Sequence, residues 1–361
     1  MGLTKIAISD FRNIATAELS FSPQLNLIAG CNGAGKTSLL EAVYFLGRAQ
    51  SFRTTHPSSV IREGAEGLLV TGQVTDRYST AIPVGIQRDK TSIRVKMAGR
   101  PVQQLAELVV CFPFQLLTPD SHQLLEGGPR YRRRFLDWGV FHVEPAFFPA
   151  WQRYSRALRQ RNAALKARAL PQEIRLWDTE LIAAAQILDQ QRRDYLHNLL
   201  PVLGRYATGL LVDIVGLGWE YRPGWPRKST FAEALEEGIE GDRRQGFTRI
   251  GPHRADLIPI LDGQPAQERI SRGQQKQLVA ALMLAQAHVY QTHQGRPCIF
   301  LVDDLASELD DEHRNCVLQH LRSLGAQVIM TAIEEEAIDG SIWPEQRRFH
   351  VEHGRVEEVI Y

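Results

Sequence analysis

The sequence contains the stretch GCNGAGKTS at residues 30–38, and this stretch decides the fold class. It matches the pattern G-x-x-x-x-G-K-[ST] of a phosphate-binding loop. The apolar segment QLNLIAG runs into the loop, and the segment KTSLLEAVYFLG after it has its apolar residues at helical spacing. In this strand–loop–helix context, backbone N–H groups and the helix dipole bind phosphates. The stretch therefore predicts an α/β nucleotide-binding fold.

Two residues of the loop have specific expected roles. Lys36 would reach the β- and γ-phosphates of a nucleotide, and the Thr37 hydroxyl would hold Mg²⁺. The backbone of the remaining residues would surround the phosphates. The predicted nucleotide-binding residues of the loop are Gly30, Cys31, Asn32, Gly33, Ala34, Gly35, Lys36, Thr37 and Ser38.

A second apolar run, CIFLVDD, ends in the two aspartates Asp303 and Asp304. P-loop enzymes hold Mg²⁺ through a carboxylate at the end of such a strand. We therefore expect Asp303 to share the metal with Thr37. Asp304 would orient or deprotonate the attacking water. Lys36, Asp303 and Asp304 are the predicted catalytic residues.

The segment ISRGQQKQLV, residues 270–279, starts another helix far along the chain. Ser271 and Gln274 have the spacing of a capping box, and apolar residues follow at helical intervals. Capping does not account for Gly273 in the first turn, where glycine costs about 1 kcal/mol relative to alanine. Two interpretations therefore stay open. The segment is either a well-capped core helix or a helix start that binds an anion, whose close approach the glycine would permit.

Composition limits the class of protein. Of the 361 residues, 43% are hydrophobic and 23% are charged, which is typical of a globular protein with a substantial core. The net charge is +1, so any nucleic-acid binding must come from a local patch. The four cysteines are far apart and indicate neither a disulfide framework nor a metal site. No apolar run approaches the about 18 residues of a membrane span. We expect a cytoplasmic protein.

The pattern along the chain indicates two lobes. β-rich segments flank the phosphate-binding loop and include a meander, LLVTGQV, AIPVGIQR and SIRVKM. Two long amphipathic helical patterns then follow, interrupted at LPQE. We predict an α/β lobe of mixed sheet and helices from residues 1–115 and 248–361, with a mainly helical lobe inserted at 116–247. The helix near 271–292 would lie at the junction of the lobes.

Arginines are concentrated in two segments. In GGPRYRRRFLDW, arginines at a helix start oppose the helix dipole, which indicates an anionic partner. That partner is either DNA phosphate or acidic side chains, and the sequence favours neither. RQRNAALKAR is either a DNA contact or a solvated helical face. Arg53 and Arg254 fit nucleotide, DNA or structural roles. The candidate DNA contacts are Arg130, Arg132, Arg133, Arg159 and Arg161.

Taken together, these motifs resemble the ABC-type ATPases. Their signature Leu-Ser-Gly-Gly-Gln is matched by ISRGQ, with Arg272 in place of the first glycine. Within that superfamily the chain is similar to a DNA-repair family of the structural-maintenance-of-chromosomes (SMC) branch, over essentially its whole length. The segments that carry this resemblance are ISDFRNIATAELSF, the phosphate-binding loop, SFRT, GGPRYRRRFLDWGVFH, QRNAAL, GPHRADL, SRGQ and DDLASELD.

The resemblance implies an ABC-type ATPase head that binds ATP and Mg²⁺. Such proteins bind DNA without sequence preference at junctions of single and double strands. They aid recombinase loading and the SOS response, with RecR- and RecO-like partners and no membrane. Two heads would dimerise head to tail around two nucleotides, each held by the loop of one head and the signature of the other. By this analogy Ser271, Gly273, Gln274, Arg12 and Asn13 contact nucleotide. Ser307 and Asp310 would lie at the same interface.

Besides Arg272, the sequence departs from transporter ATPases at two further positions. Asp304 stands where a glutamate is usual and is one methylene shorter, which predicts slow hydrolysis. The resemblance implies a weak, DNA-stimulated ATPase that is mainly a binding and loading factor and whose slow hydrolysis resets the dimer. Thr331 stands where a switch histidine is usual. It would either touch the γ-phosphate region or be a core strand residue. The alternative function is the ATPase subunit of a transporter. These departures and the helical insertion argue against it.

Overall fold

The structure, a computed structural model, describes residues 2–75, 80–211, 214 and 216–359. The chain forms two compact units. Unit 1 contains Met1–Ser121 and Lys276–Tyr361, and unit 2 contains His122–Gln275. The strands are β1 Gly2–Phe11, β2 Ile14–Ser20, β3 Leu25–Ala29, β4 Gly67–Thr75, β5 Ala81–Asp89, β6 Ile93–Met97, β7 Arg100–Pro101, β8 Phe114–Leu117, β9 Gly218–Arg222, β10 Asp256–Leu261, β11 Gln264–Pro265, β12 Ile299–Val302, β13 Gln327–Ala332, β14 Gln346–Glu352 and β15 Arg355–Val359.

Helices connect and flank these strands. They are α1 Lys36–Arg48, α2 Ala106–Cys111, α3 Gln123–Glu126, α4 Pro129–Val143, α5 Phe147–Lys166, α6 Pro171–Arg175, α7 Asp178–Leu210, α8 Phe231–Gln245, α9 Arg272–Gln294, α10 Leu305–Glu308 and α11 Asp311–Ser323. The helix predicted directly after the phosphate-binding loop is α1, and the two long helical patterns became α5 and α7. Pro171 begins the short helix α6 at the predicted break, because proline is tolerated in the first turn of a helix.

Unit 1 contains two sheets. The first is antiparallel with strand order β2-β1-β4-β5-β6-β7. The second has the order β15-β14-β3-β13-β12-β8, in which the strands from β14 to β8 are parallel and β15 is an antiparallel edge. The strands β3, β12 and β13 are buried along their whole length, as expected for parallel strands covered on both faces. The predicted α/β architecture is confirmed.

Helix α1 packs into the core that the two sheets share. Leu39, Leu40, Val43 and Leu46, the apolar face expected from their spacing, are fully buried together with residues of both sheets. Burying side chains of this size contributes about 1.5–3 kcal/mol each. The helix that follows the loop is therefore held firmly, and so is the loop at its start.

Unit 2 is mainly helical. Helices α5 and α7 pack along each other, and α4 packs against β10 of a small sheet ordered β11-β10-β9. The unit begins at His122 instead of the predicted 116, and it extends past the predicted end at 247 because β10 pairs antiparallel with β9 from the middle of the unit. The segment 248–275 therefore lies with the helical unit, and unit 2 ends inside α9.

Among the described residues, no helix is both long enough and apolar enough to cross a membrane.

Candidate nucleotide-binding site

The phosphate-binding loop joins the end of β3 to the start of α1, and two of its glycines are required by their surroundings. Gly30 has φ +151°, and a Cβ there would overlap the carbonyl oxygen of Val351. Gly35 has φ +122°, and a Cβ there would lie 2.8 Å from Nδ2 of Asn13. Both combine a backbone conformation that disfavours side chains with close contact to a neighbour. The loop therefore requires glycine at both positions to adopt this shape.

Lys36 is folded back over the loop. Its Nζ donates to the carbonyl oxygens of Gly30 at 2.6 Å and Cys31 at 3.0 Å. Only 8% of the residue is exposed. The ammonium charge is therefore held inside the loop, where the residues of the loop converge, instead of extending into solvent.

Thr37 and Asp303 come together from distant parts of the chain. The Thr37 hydroxyl lies 3.1 Å and 3.2 Å from the two carboxylate oxygens of Asp303. Asp303 directly follows β12, and Thr37 is the second residue of α1. The parallel order β3-β13-β12 brings the carboxyl ends of these strands to one edge of the sheet, which is why the two side chains meet.

Thr331, on the strand between β3 and β12, connects the two aspartates. Its hydroxyl donates to Asp303 Oδ1 at 2.7 Å and accepts from the backbone N–H of Asp304 at 2.9 Å. The residue is 1% exposed. Of the two roles left open by the sequence, the structure gives Thr331 a buried strand position that orients Asp303 and the turn after it.

Burial raises the pKa of the Asp303 carboxyl, although the hydroxyls of Thr331 and Thr37 act in the opposite direction. The nearby charge of Asp304 raises this pKa further, and Arg53 lowers it. The protein alone therefore compensates the negative charge of Asp303 incompletely. A cation beside this carboxylate would be stabilised.

Asp304 occupies the turn between β12 and α10. Its backbone is left-handed, with φ 51° and ψ 53°, a conformation that aspartate tolerates better than most residues. Its carbonyl accepts from the Ser307 hydroxyl at 3.0 Å. Asp310, also expected at an interface, is the N-cap of α11 and accepts from the N–H of His313. The interface roles of Ser307 and Asp310 stay predictions.

Asn13 and Arg12 differ in how they approach the loop. The Asn13 amide donates to the carbonyl oxygen of Ala34 at 3.2 Å, within the phosphate-binding loop. The Arg12 guanidinium instead binds both carboxylate oxygens of Glu41, at 2.8 and 3.0 Å, and also donates to Ser59 O. Contact of either residue with nucleotide stays a prediction.

Glu41 is a buried neighbour of the loop that the sequence patterns did not single out. It lies on α1 and is fully buried, and it accepts hydrogen bonds from Arg12 and the Ser51 hydroxyl. Arg53 approaches it at 3.6 Å. The available signal was a charged residue within the apolar α1 pattern, because a buried carboxylate requires cationic partners. Glu41 thus ties the segments around residues 12 and 51–53 to the helix that begins at the loop.

The capping box at the start of α9 is confirmed. The Ser271 N–H donates to Gln274 Oε1 at 2.9 Å, and the Gln274 N–H donates to Ser271 Oγ at 3.2 Å. Gly273 is exposed, and a Cβ there would meet only Ser271 Oγ, at 3.9 Å. Among the described residues, no neighbour explains the glycine by a close approach. The contacts of Gly273 within the chain therefore do not explain why a glycine occupies the first turn of α9.

Two of the five candidate DNA contacts are wrong. Arg132 is 8% exposed and binds both carboxylate oxygens of Asp256, at 2.8 and 2.9 Å. Arg161 is fully buried, with Asp178 and Asp242 each at 2.8 Å. Both are internal ion pairs, so neither guanidinium is accessible to DNA. Of the other three, the structure places Arg130 and Arg159 at the surface and leaves Arg133 partly exposed.

Four features together define an ABC-type ATPase head. They are a phosphate-binding loop before α1, an aspartate at the end of a neighbouring parallel strand, a glycine-bearing capped helix and an inserted helical unit. The chain matches the family model described as the RecF/RecN/SMC N-terminal domain over residues 2–353. It therefore belongs to this family, and its full-length relatives place it among the RecF proteins.

These relatives carry the name DNA replication and repair protein RecF. One, from Aliivibrio fischeri strain MJ11, is 39% identical over 360 residues, which cover 99% of this chain and 100% of the relative. Another, from Escherichia fergusonii, is 40% identical over 360 residues, with the same coverage of 99% and 100%.

Solved structures have the same fold. The recombination mediator protein RecF with ATP, described as part of the RecFOR pathway, superposes with a TM-score of 0.87 at 23% identity, covering 99% of this chain and 97% of that one. An Smc head bound to the C-terminal winged-helix domain of ScpA gives a TM-score of 0.59 at 13% identity, covering 99% and 97%. The predicted ABC-type, SMC-like head is confirmed.

Proposed function

We propose that this protein is an ATP-dependent DNA-binding factor of recombinational repair and replication-fork recovery. Membership of the RecF family supports the repair role, since the relatives are named for DNA replication and repair. The observation that carries the ATP-dependent part is the convergence of Thr37, Asp303 and Thr331 beside the phosphate-binding loop. RecF in a solved structure is described with bound ATP, which supports the same ligand here.

The oxygen donors beside the loop fit Mg²⁺ bound together with a nucleotide. Mg²⁺ in such sites is usually held by one or two carboxylates or hydroxyls and by the phosphates of the substrate. Thr37 Oγ1 and the Asp303 carboxylate are the donors available here. Among the described residues, no group of three His, Cys, Asp or Glu side chains could hold a metal alone. Bound Mg²⁺ would supply charge neutralisation at the phosphates.

The remaining residues position the nucleotide and the water. Lys36 and the loop N–H groups bind the phosphates, and Thr331 keeps Asp303 oriented toward Thr37. Asp304 holds the attacking water and takes its proton. Because the Asp304 side chain is short and its backbone is held in a left-handed turn, we propose slow hydrolysis that DNA stimulates and that resets the protein.

The exposed start of α9 would complete the nucleotide site of a second subunit. Ser271, Gly273 and Gln274 would contact the phosphates that the partner's loop holds, and Gly273 allows the close approach. ATP would then drive a head-to-tail homodimer, while ADP, which lacks the γ-phosphate, would not.

The dimer would clamp DNA at junctions of single and double strands, without sequence preference, and aid recombinase loading. RecR- and RecO-like proteins would be its partners, as the RecFOR description of a matched structure supports. Support of the SOS response and a cytoplasmic location follow from the same role. The transporter alternative has no comparable support, because the family model and the relatives described above are those of repair and chromosome proteins.

Mixed subunits test whether the sites form between two chains. Lys36→Met with an intact α9 start and Ser271→Arg with an intact loop each give homodimers with two defective sites. In a two-fold dimer, the mixed species has one site with both defects and one intact site. Random mixing makes about half the dimers mixed, so independent sites recover roughly a quarter of the wild-type ATPase.

Sedimentation velocity with ATP, with ADP and without nucleotide provides the matching structural test. The wild-type protein should form dimers with ATP but not with ADP or without nucleotide, and Lys36→Met should weaken this ATP-dependent dimerisation. A linked dimer with both defects on one subunit distinguishes a site formed between two chains from a site formed within one chain. If the α9 start of one subunit completes the site of the other, both sites of this linked dimer are defective and it is inactive. Hydrolysis at near half the wild-type rate in that linked protein would mean that α9 is only a capped core helix.

A further inference from the structure

Two loops of unit 2 pack against each other and carry arginines. The loop after β9 and the segment GPHRAD before β10 are joined by a hydrogen bond from the Gly251 N–H to Gly224 O at 3.0 Å. Gly224 has φ +101°, and a Cβ there would overlap the carbonyl oxygen of Gly251. The two backbones therefore lie as close as they can. This contact ties the backbones of the two loops to each other.

Four arginines lie in these two loops or contact them, and we call them the basic loop surface: Arg133, Arg222, Arg227 and Arg254. The α4 residue Arg133 donates to Ala255 O at 2.7 Å, which ties it to GPHRAD. Arg222 stands opposite Asp256 in the β9–β10 ladder, so both side chains point to the same face. Arg227 reaches back to Tyr221 O and Glu220.

The carboxylates near this surface are already occupied. Asp256 is bound by Arg132 through both oxygens, and Asp137 is bound by the buried Arg192 through both of its own. Glu220 alone serves both Arg222 and Arg227, each at 2.7 Å. Glu220 therefore compensates two of the four arginines, Arg222 and Arg227, with a single negative charge.

Arg133 and Arg254 contact no carboxylate among the described residues. Arg254 is exposed, and its guanidinium lies 5.8 Å from the centre of the Phe247 ring. A cation–π contact at this distance does not engage the N–H groups of the guanidinium with a hydrogen-bond acceptor, so they stay available as donors. Arg133 donates one hydrogen bond, from Nη1 to Ala255 O, and its other guanidinium N–H groups can donate to a ligand. Both are thus prepared donors without an anionic acceptor.

The electrostatic environment of Arg133 is unfavourable for its own charge. Burial lowers the pKa of its guanidinium, and the charges of Arg192 and Arg254 lower it further against the opposing effect of Asp256 and Asp137. An arginine in such a place remains protonated, because its ordinary pKa lies far above neutrality. An anion bound here would offset the repulsion between these positive charges.

We propose that the basic loop surface binds the phosphodiester backbone of DNA. This inference rests on the proposed DNA-binding function and names the surface of unit 2 that performs it. Arginine binds phosphate through two parallel hydrogen bonds, and Arg133 and Arg254 are the two members of this surface that contact no carboxylate among the described residues. Backbone contacts carry no sequence information, so this surface agrees with binding that lacks sequence preference.

The test compares the salt dependence of DNA binding in two variants of equal charge. The Arg133→Gln/Arg254→Gln protein removes two proposed contacts. The control, Arg153→Gln/Arg175→Gln, removes two exposed arginines of the same unit that are paired with Glu180 and Glu236. Binding of a fluorescent duplex with a single-stranded extension is measured with ATP over a range of salt concentrations. Each lost phosphate contact reduces the slope of log K against log salt by about 0.9.

We expect the slope to fall by about 1.8 in the first variant and to stay unchanged in the control. Arg254→Lys, which keeps a point charge at an exposed position, should retain its share of the slope. Equal ATP binding and equal thermal melting establish that the variants are folded. If the double variant does not fold, the single variant Arg254→Gln, at an exposed position, replaces it in the test. Its slope should fall by about 0.9.

Several results would overturn the proposal. One is a wild-type slope in both Arg254→Gln and the double variant, and another is the same loss in the control. Unchanged DNA binding with loss of binding to a RecR-like protein would assign the surface to an acidic protein partner. If the wild-type protein itself shows no salt-dependent DNA binding, the proposed function fails, and not merely this surface.

Discussion

Thr331 donates a hydrogen bond of 2.7 Å to Asp303, from the strand that lies between the phosphate-binding loop and the aspartate. The same hydroxyl accepts from the N–H of Asp304 at 2.9 Å. One buried side chain therefore orients the carboxylate expected to bind Mg²⁺ and also holds the turn that carries the residue next to it. Any movement of β13 would therefore change the positions of both Asp303 and Asp304.

Replacing Thr331 with valine should destabilise the nucleotide-free protein at neutral pH. Valine has the same shape but leaves the buried Asp303 carboxylate without its donor, and a hydrogen bond to a charged group contributes about 1.5–3 kcal/mol. Urea denaturation measures the effect, and Thr331→Ser is the matched control that keeps the hydroxyl. The loss should shrink at acidic pH, because the hydroxyl stabilises only the ionised carboxylate strongly. Equal stability of the valine and wild-type proteins at pH 7 would contradict this role.

Replacing Asp304 with asparagine should separate ATP binding from hydrolysis. Asparagine has nearly the same shape and tolerates the left-handed backbone of this turn, but it cannot accept a proton from water. Loss of general-base assistance should lower the hydrolysis rate by about 10²–10⁴-fold, with ATP affinity unchanged. Single-turnover hydrolysis and equilibrium binding of ATP measure the two effects. Hydrolysis at the wild-type rate would assign the base to another residue.

The arginines at positions 159 and 161 should behave differently, although they are two residues apart. Arg161→Ala would leave Asp178 and Asp242 without their buried partner, which costs about 3–5 kcal/mol. Arg159→Ala changes an exposed side chain and should alter the free energy of unfolding by less than about 0.5 kcal/mol. Chemical denaturation of the two variants side by side measures the difference. Similar stabilities would mean that the Arg161 network contributes little.

His253 should make the stability of the protein depend on pH. Its Nδ1 lies 2.6 Å from the Tyr154 hydroxyl, and its Nε2 lies 3.2 Å from Thr248 O. Burial lowers the pKa of His253 from 6.5 to about 4, assisted by the nearby charges of Arg254 and Arg133 and opposed by Thr248 O and Asp242. Between these two pH values the unfolded chain binds a proton that the folded protein does not. The free energy of unfolding should therefore fall as the pH drops from 6.5 to about 4.

Urea denaturation at several pH values tests this dependence. His253→Gln removes the titrating group and should flatten the fall within that window, although the variant is less stable at neutral pH. The slope attributable to one proton is at most about 1.4 kcal/mol per pH unit. An unchanged slope in the glutamine variant would show that other groups cause the acid sensitivity.

The sequence by itself determined the features that depend on neighbouring residues. Local physical causes account for four features: the phosphate-binding loop, the helix after it, the capping box of Ser271 and Gln274, and the strand that precedes Asp303. Backbone conformation at glycines, capping hydrogen bonds and the apolar period of a strand or helix act over a few residues, so a short pattern is sufficient to predict them. The resemblance of the combined motifs to SMC-type heads was correct for the same reason.

Only the tertiary structure decided which side chains meet across the chain. Asp256 neutralises Arg132 from 124 positions away, and Thr331 reaches Asp303 because β13 pairs with β12. The placement of residues 248–275 in unit 2 likewise depends on the pairing of β10 with β9. Whether an arginine is a buried ion pair or an exposed donor depends on such distant partners. A short sequence pattern cannot predict these partners, because burial and long-range pairing are properties of the packed chain.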